Sequence, residues 1–425
     1  MRLPDALETT REVNVTSDED LFVGVDWGQE YHQCWVTAGD GSKLDESQVE
    51  HSRDGLERFC ERLDELCCGD RSRVHVAIEV SHGAVVEALL ERGFQVYSIN
   101  PKQLDRFRDR FSPSGAKDDR RDAQVLASSL RTDPDAFRRL CLPDRLILQL
   151  RECSRMHDEL QQDRQRTANR LREQLYRYYP QFLKLTGDVR LGWALELWQL
   201  APSPDSVESL SEDRIRQLLS RYRVRRSDVS GVISTLSLRG PSRAPGAADA
   251  AQFHAGMLVE RLTVLNAQLK RCRHELQRLL ERLAVPTEGS EHRTVRTGDV
   301  EVARSMPGIG TVVVATLFAE ASDALAERDY ERLRILAGVA PVTRQSGKRR
   351  PSVVQRYACN RRLREAVYHL ARTLIQKDPR AKARYADLRG KGHSHGRALR
   401  TVGDRQLRAL CAMLRDGTDY AMGVA

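Results

Sequence analysis

At 425 residues the chain is long enough for two or three cored domains, and 40% hydrophobic with 30% charged residues describes a water-soluble protein. No apolar run approaches a membrane span, and Met1–Asp20 is polar and acidic, without the apolar centre of a signal peptide. Nine cysteines without a CxxC pair exclude a zinc framework or a disulfide scaffold and point to a reducing cytoplasm.

The net charge of +9 is unevenly held. Residues 19–140 carry 17 Lys and Arg against 24 Asp and Glu, whereas residues 291–425 carry 26 against 14. An acidic N-terminal part suits metal ligation, and a basic C-terminal part suits nucleic acid. Only 9 of the 69 basic residues are lysine, a bias that GC-rich codons explain, but codon usage does not explain the asymmetry.

In chain order, residues 1–18 read as a disordered tail. Phe22–Asp26, Gln33–Ala38 and Lys43–Val49 then read as three strands. A helix over Gly55–Cys67, a strand Val74–Glu79, a helix Gly83–Arg92 and a strand Gln95–Ile99 follow, and Pro101 opens a helical stretch. That order predicts an RNase H-like α/β domain over 19–140, with its metal site on the first and fourth strands and a late helix. A helical, coiled-coil domain is expected over 141–290. Its surest signal is Leu258, Leu262, Leu265, Leu269, Cys272, Leu276, Leu279 and Leu283, an unbroken alternation of four and three. The periodicity leaves open whether the partner is the 145–180 helix or a second protomer. The remainder, 291–425, is expected to be mostly helical.

Four carboxylates occupy the places where that fold would put a metal. Asp26 and Glu79 each end an apolar strand, and Asp119 and Asp122 stand three apart, on one face of a helix. Each has an ordinary alternative: a strand-end Asp is commonly a turn residue, and an acid pair beside Arg120 and Arg121 suits a helix start. Together, in this order, they suggest an all-oxygen Mg²⁺ or Mn²⁺ site for two-metal phosphoryl transfer on nucleic acid.

The C-terminal part adds two features. Met306-Pro-Gly-Ile-Gly310 is a tight turn between helices of helix-hairpin-helix type, whose Gly308 and Gly310 can offer backbone N–H groups to a phosphate. Ser346 lies in a Ser-Gly pair among Arg344, Lys348, Arg349 and Arg350, a setting in which a serine could attack a phosphodiester. A plain phosphate-gripping loop is the competing reading, with Ser352 and Tyr357 as rival nucleophiles. His393 and His395, on a glycine-flanked loop, read as solvated surface.

Through these motifs the chain resembles the DEDD transposases of the bridge-RNA-guided insertion-sequence family, to which the pilin-gene invertases are related. The resemblance covers roughly residues 20–415. It rests on Val25-Asp26, Ile78-Glu79, Lys117-Asp-Asp-Arg-Arg-Asp-Ala123, Met306-Pro-Gly-Ile-Gly310, Gly338-Val-Ala-Pro341, Ser346-Gly347 and Asn360-Arg-Arg-Leu-Arg364. It implies a RuvC-like domain whose Asp26, Glu79, Asp119 and Asp122 bind Mg²⁺, and a C-terminal transposase domain whose Ser346 links covalently to DNA. It also implies donor and target DNA, a structured noncoding guide RNA and a dimer or tetramer in which serine and acids meet in trans. Nucleic-acid contacts are expected at Gly308, Gly310, Arg344, Lys348, Arg349, Arg350, Arg361 and Arg362, and the setting is the bacterial cytoplasm, at the nucleoid. Cys359 stands where the pattern usually has glycine. Two other classes compete: a RuvC-type junction nuclease acting by hydrolysis, and a non-catalytic nucleic-acid scaffold.

Overall fold

The structure is a computed structural model that describes residues 19–80, 83–111, 118–140, 144–225, 227–238, 245–285, 295–296, 298–344 and 352–421. The chain divides into two compact units, Met1–Pro143 and Asp144–Ala425.

Unit one is built on a mixed six-stranded sheet. Strands β1 (Leu21–Asp26), β2 (Tyr31–Thr37) and β3 (Lys43–Glu50) form an antiparallel meander. Helix α1 (Arg53–Leu66) leads to β4 (Val74–Ile78), α2 (Ala84–Glu91) to β5 (Gln95–Ser98), and β4 and β5 join the sheet in parallel with β1. Helices α3 (Pro101–Phe111) and α4 (Asp119–Thr132) precede a two-residue edge strand, β6 (Arg138–Arg139), giving the order β3-β2-β1-β4-β5-β6. The pattern of β1 explains its place. Leu21, Val23 and Val25 are fully buried beneath Phe59, Leu63, Val86 and Leu89 from α1 and α2, so the strand is central and covered.

The opposite face of β1 receives α4 through a residue that has no side chain. A Cβ on Gly24 would overlap the carbonyl oxygen of Ala123 and the amide of Ala127, so only glycine admits the helix at this distance. Ala123 and Ala127, one turn apart on α4 and fully buried, meet Trp35 of β2. Small residues here bring the helix backbone onto the sheet, and with it the acids of its first turn.

Among the described residues, unit two is helical apart from one hairpin. Helix α5 (Arg145–Tyr178) is 34 residues long, about 50 Å. Short helices follow: α6 (Pro180–Thr186), α7 (Gly192–Leu200), α8 (Glu212–Arg221) and α9 (Val229–Leu236). Helix α10 (Pro245–Ala284), 40 residues and about 60 Å, then packs along α5. Every seam position from Leu258 to Leu283 is at most 5% exposed. The pair runs antiparallel: Ala168, Leu171 and Leu175 share one core with Leu258 and Leu262, while Ile147, Leu150 and Cys153 share another with Cys272, Leu276 and Leu283. Within this chain the heptad seam of α10 is therefore covered by α5.

The second of these cores continues into the C-terminal helices α11 (Asp299–Arg304), α12 (Thr311–Ala326), α13 (Tyr330–Leu336), α14 (Arg361–Lys377), α15 (Pro379–Gly390) and α16 (His395–Asp416). Between α13 and α14, β7 (Pro341–Arg344) pairs antiparallel with β8 (Ser352–Gln355). Among the described residues no helix is long and apolar enough to cross a membrane.

Candidate active site

Register places the first two acids. Val25 pairs with Ile78 in parallel strands, so the acids that follow them, Asp26 and Glu79, leave neighbouring strands at the same level. The close seating of α4 on Gly24 brings Asp119 and Asp122 to the same end of the sheet. Asp122 is 2% exposed, Asp26 and Glu79 are half-buried, and Asp119 is exposed. Asp118 caps α4, accepting a hydrogen bond from the Arg120 amide.

The charges of the other three acids reach Asp26. The Asp26 carboxyl is pushed up to about 6, first by burial and then by the negative charges of Asp122, Asp119 and Glu79, with Arg108 opposing. Arg108, on α3, grips Asp122 with two hydrogen bonds, Nε to Oδ1 at 2.6 Å and the terminal nitrogen to Oδ2 at 2.7 Å. It also reaches Asp105 at 2.5 Å. A buried carboxylate needs such a partner.

The donor set suits a hard divalent cation: carboxylate oxygens whose charges press on one another, in a setting that raises one of them toward neutrality. Among the described residues the acids form no ready cage of three ligands, and Asp122 is paired with Arg108. Mg²⁺ or Mn²⁺ at Asp26, Glu79, Asp119 and Asp122 would compete with that guanidinium for Asp122. Arg108 escaped the sequence reading because nothing in its surroundings on α3 marks it, and only the fold carries it to Asp122.

Beside the acids, the turn after Asp26 has its own support. The Gly28 amide donates to His32 Nδ1 at 3.2 Å, so the proton of His32 sits on Nε2, which donates to His51 Nδ1 at 2.8 Å. Burial and the neighbouring His51 hold the His32 pKa down at about 4.

In unit two, Ser346, Lys348, Arg349 and Arg350 lie outside the described residues, as does the side chain of Arg344. The hairpin that brackets them is firmly rooted. Asn360, just after it, caps α14 by accepting from the Leu363 amide at 3.1 Å, donates to Glu320 Oε2 at 2.7 Å, and donates its backbone N–H to the Leu336 carbonyl at 2.9 Å. Glu320 is 5% exposed and lies within 3.5 Å of both Arg155 and Arg362. Arg362 also donates to the Ser154 carbonyl and pairs with Asp158 at 2.8 Å, so its guanidinium is committed inside the protein, whereas Arg361 is exposed. Cys359 fills the space above Gly338, where φ is +65°. Gly308 has φ +74° and lies against Thr373 and Lys377 of α14, and Gly310 starts α12; both are exposed. Of the rival nucleophiles, Tyr357 is 76% exposed and Ser352 opens β8.

Residues 23–180 match a transposase model of the DEDD type, and residues 300–386 match the model described as "Transposase IS116/IS110/IS902 family". The mini-circle putative transposase for IS117 of Streptomyces coelicolor is 30% identical over 94% of this chain and 95% of its own length. The chain belongs to this transposase family. Putative transposase y4uE of Sinorhizobium fredii is 47% identical over 51% of this chain and 61% of that protein. An insertion-element protein of IS116 from Streptomyces clavuligerus is 28% identical over 94% of this chain. Both sets of motifs lie in the matched regions: the four acids in the first, and Gly308, Gly310, Arg344, Ser346 and Asn360 in the second.

Proposed function

We propose that this family member is a DNA transposase that cuts and rejoins donor and target DNA by serine transesterification. What supports the reading is that the charges of Asp122, Asp119 and Glu79 act on Asp26, at the end of a sheet whose strand order suits an RNase H-like, RuvC-like domain. Asp26, Glu79, Asp119 and Asp122 would hold Mg²⁺, with Mn²⁺ an alternative. When bound, the cation supplies Lewis acidity at the scissile phosphate and relieves the mutual repulsion of the acids.

The residues of the chain do the rest. Ser346 Oγ forms a bond to phosphorus as the bond to the leaving strand end breaks. The hydroxyl proton departs with solvent and the released oxygen takes one up. Arg344, Lys348, Arg349 and Arg350 would balance the charge building on the phosphoryl oxygens. A DNA hydroxyl attacking the phosphoserine then restores Ser346 and closes the new strand. Gly308, Gly310 and Arg361 would contact the phosphate backbone, while Arg362, tied to Asp158 and Ser154, would contribute mainly by fixing the start of α14. The family resemblance further suggests a structured guide RNA that pairs with both DNA partners, an assembly of two or four copies, and work at the bacterial nucleoid.

An adduct trap tests the scheme. The protein, its guide RNA, Mg²⁺ and labelled donor and target DNA are incubated, denatured and resolved by gel. A covalent protein–DNA band is expected, absent in Ser346→Ala and in Asp26→Asn. Metal-dependent cleavage without any adduct would assign the protein to hydrolytic junction nucleases and reduce Ser346 to a loop residue. DNA binding with no cleavage in the parent chain would favour the scaffold.

A further inference from the structure

A cleft of about 280 Å³ opens beside the hairpin of unit two, between β7 and β8 on one side and the start of α16 on the other. Its walls include Pro341, Val353 and Gln355 from the hairpin and His393, Arg397 and Arg400 from the α16 side. Among the described residues Asp404 is the one carboxylate in the lining, and it is already satisfied. Arg334 holds it through two hydrogen bonds, at 3.1 and 2.9 Å, and the Tyr330 hydroxyl donates to it at 2.8 Å.

Among the described residues, that leaves Arg397 and Arg400 without a counter-charge. Among the described residues, the Arg400 guanidinium has one polar contact, the Gln355 amide oxygen at 3.2 Å, and it meets no carboxylate. Arg397 is exposed, and among the described residues its side chain has neither a hydrogen bond nor an ion pair. The buried Nδ1 of His393 is unpartnered among the described residues. Burial, then the like charges of Arg364 and Arg397, hold Arg400 below the usual arginine range, a stress that a bound anion would relieve. Guanidinium forks beside a neutral amide and an imidazole, in a recess rooted on a hairpin, match the chemistry of a phosphodiester.

We infer that this cleft is a DNA-backbone site, in which Arg397 and Arg400 grip one or two phosphates of the strand presented to the β7–β8 hairpin. The inference rests on the DNA transposase reading and deepens it, because it names a second anchor for the strand outside the residues that the motifs single out. Gln355, hydrogen-bonded to Arg400, would keep that guanidinium aimed across the cleft.

Salt dependence of DNA affinity tests it. The full-length protein is titrated against labelled duplex DNA, and against RNA of the same length, over a range of NaCl concentrations. The comparison is with Arg397→Gln and with Arg397→Gln/Arg400→Gln. Removing one arginine–phosphate pairing should make the slope of log K against log [NaCl] shallower by roughly 0.9 on duplex DNA. Arg397 is exposed and unpaired among the described residues, so its single variant keeps the test valid if the double variant melts early. An unchanged DNA slope in Arg397→Gln, with parent-like DNA binding, would overturn the cleft and leave the transposase reading intact. A slope that changes with RNA alone would overturn the DNA assignment. A parent protein that binds no DNA, alone or loaded with its guide RNA, would overturn the transposase reading and this inference with it.

Discussion

At the scale of single residues, the acid site and its neighbouring histidine pair respond to pH in opposite directions. Asp26 titrates at about 6 in the folded chain against 3.8 ordinarily. As pH rises from about 4 to 6, the unfolded chain gives up this proton before the folded one does, so folding stability falls across that window. His32 titrates at about 4 against 6.5. As pH falls from about 6.5 to 4, the unfolded chain takes up the imidazole proton first, so stability falls with falling pH. In the parent protein the two slopes oppose each other. Asp26→Asn should therefore raise the melting temperature at pH 7 without divalent cation, and raise it little at pH 4. His32→Gln should leave a protein whose stability declines from pH 4 to pH 6. Melting curves of the three proteins at pH 4, 5, 6 and 7 decide it. An Asp26→Asn gain of the same size at pH 4 and pH 7 would show that ionisation of this buried carboxylate beside the other acids is not its source.

At the scale of elements, the path from sequence to site runs through Gly24. A methyl group there must displace α4 from β1, because it meets the backbone of Ala123 rather than a side chain that could rotate away. Overpacking of this kind costs about 1–3 kcal/mol. Asp122 precedes Ala123, so the displacement should also separate the acids. Gly24→Ala is expected to lower the melting temperature by several degrees and to reduce metal-dependent DNA cleavage more than tenfold. Gly39→Ala is the control, since its added methyl would find only the Asp20 carbonyl oxygen, at 3.7 Å. Equal effects from the two substitutions would show that the close seating of α4 on Gly24 does not set the site. Five of the six strands of unit one were legible, with observed bounds within about two residues of the expected ones, whereas β6, two exposed arginines at the sheet edge, carries no strand pattern and was missed. The partner of the α10 seam was not legible, since a heptad repeat shows that a helix is covered without showing by what. The β7–β8 hairpin was missed because its strands are only four residues long, and proline stands at the start of the first and just before the second. Arg108 and Gly24 gain their importance from contacts far apart in sequence, which no local pattern announces.

At the scale of the whole molecule, charge and chemistry divide between the two units. Unit one, residues 1–143, carries 19 Lys and Arg against 28 Asp and Glu, and unit two, residues 144–425, carries 50 against 32. A cation placed among the acids of unit one should stabilise that unit, while a polyanion should act on unit two. Hydrogen exchange read by mass spectrometry on the intact protein can separate these effects peptide by peptide. At a Mg²⁺ concentration of roughly ten times Kd, openings that release the metal should become about tenfold rarer. Exchange should slow correspondingly in peptides covering β1, β4 and α4, and remain unchanged along α5 and α10. Duplex DNA without Mg²⁺ should protect the α13–β7 turn, β8 and the first turns of α16, and leave the central strands of unit one as they were. Asp26→Asn should abolish the first pattern and preserve the second. Mg²⁺ protection spread evenly over both units would mean that the cation acts on the protein's overall charge and not at the four acids, and the metal assignment would fall.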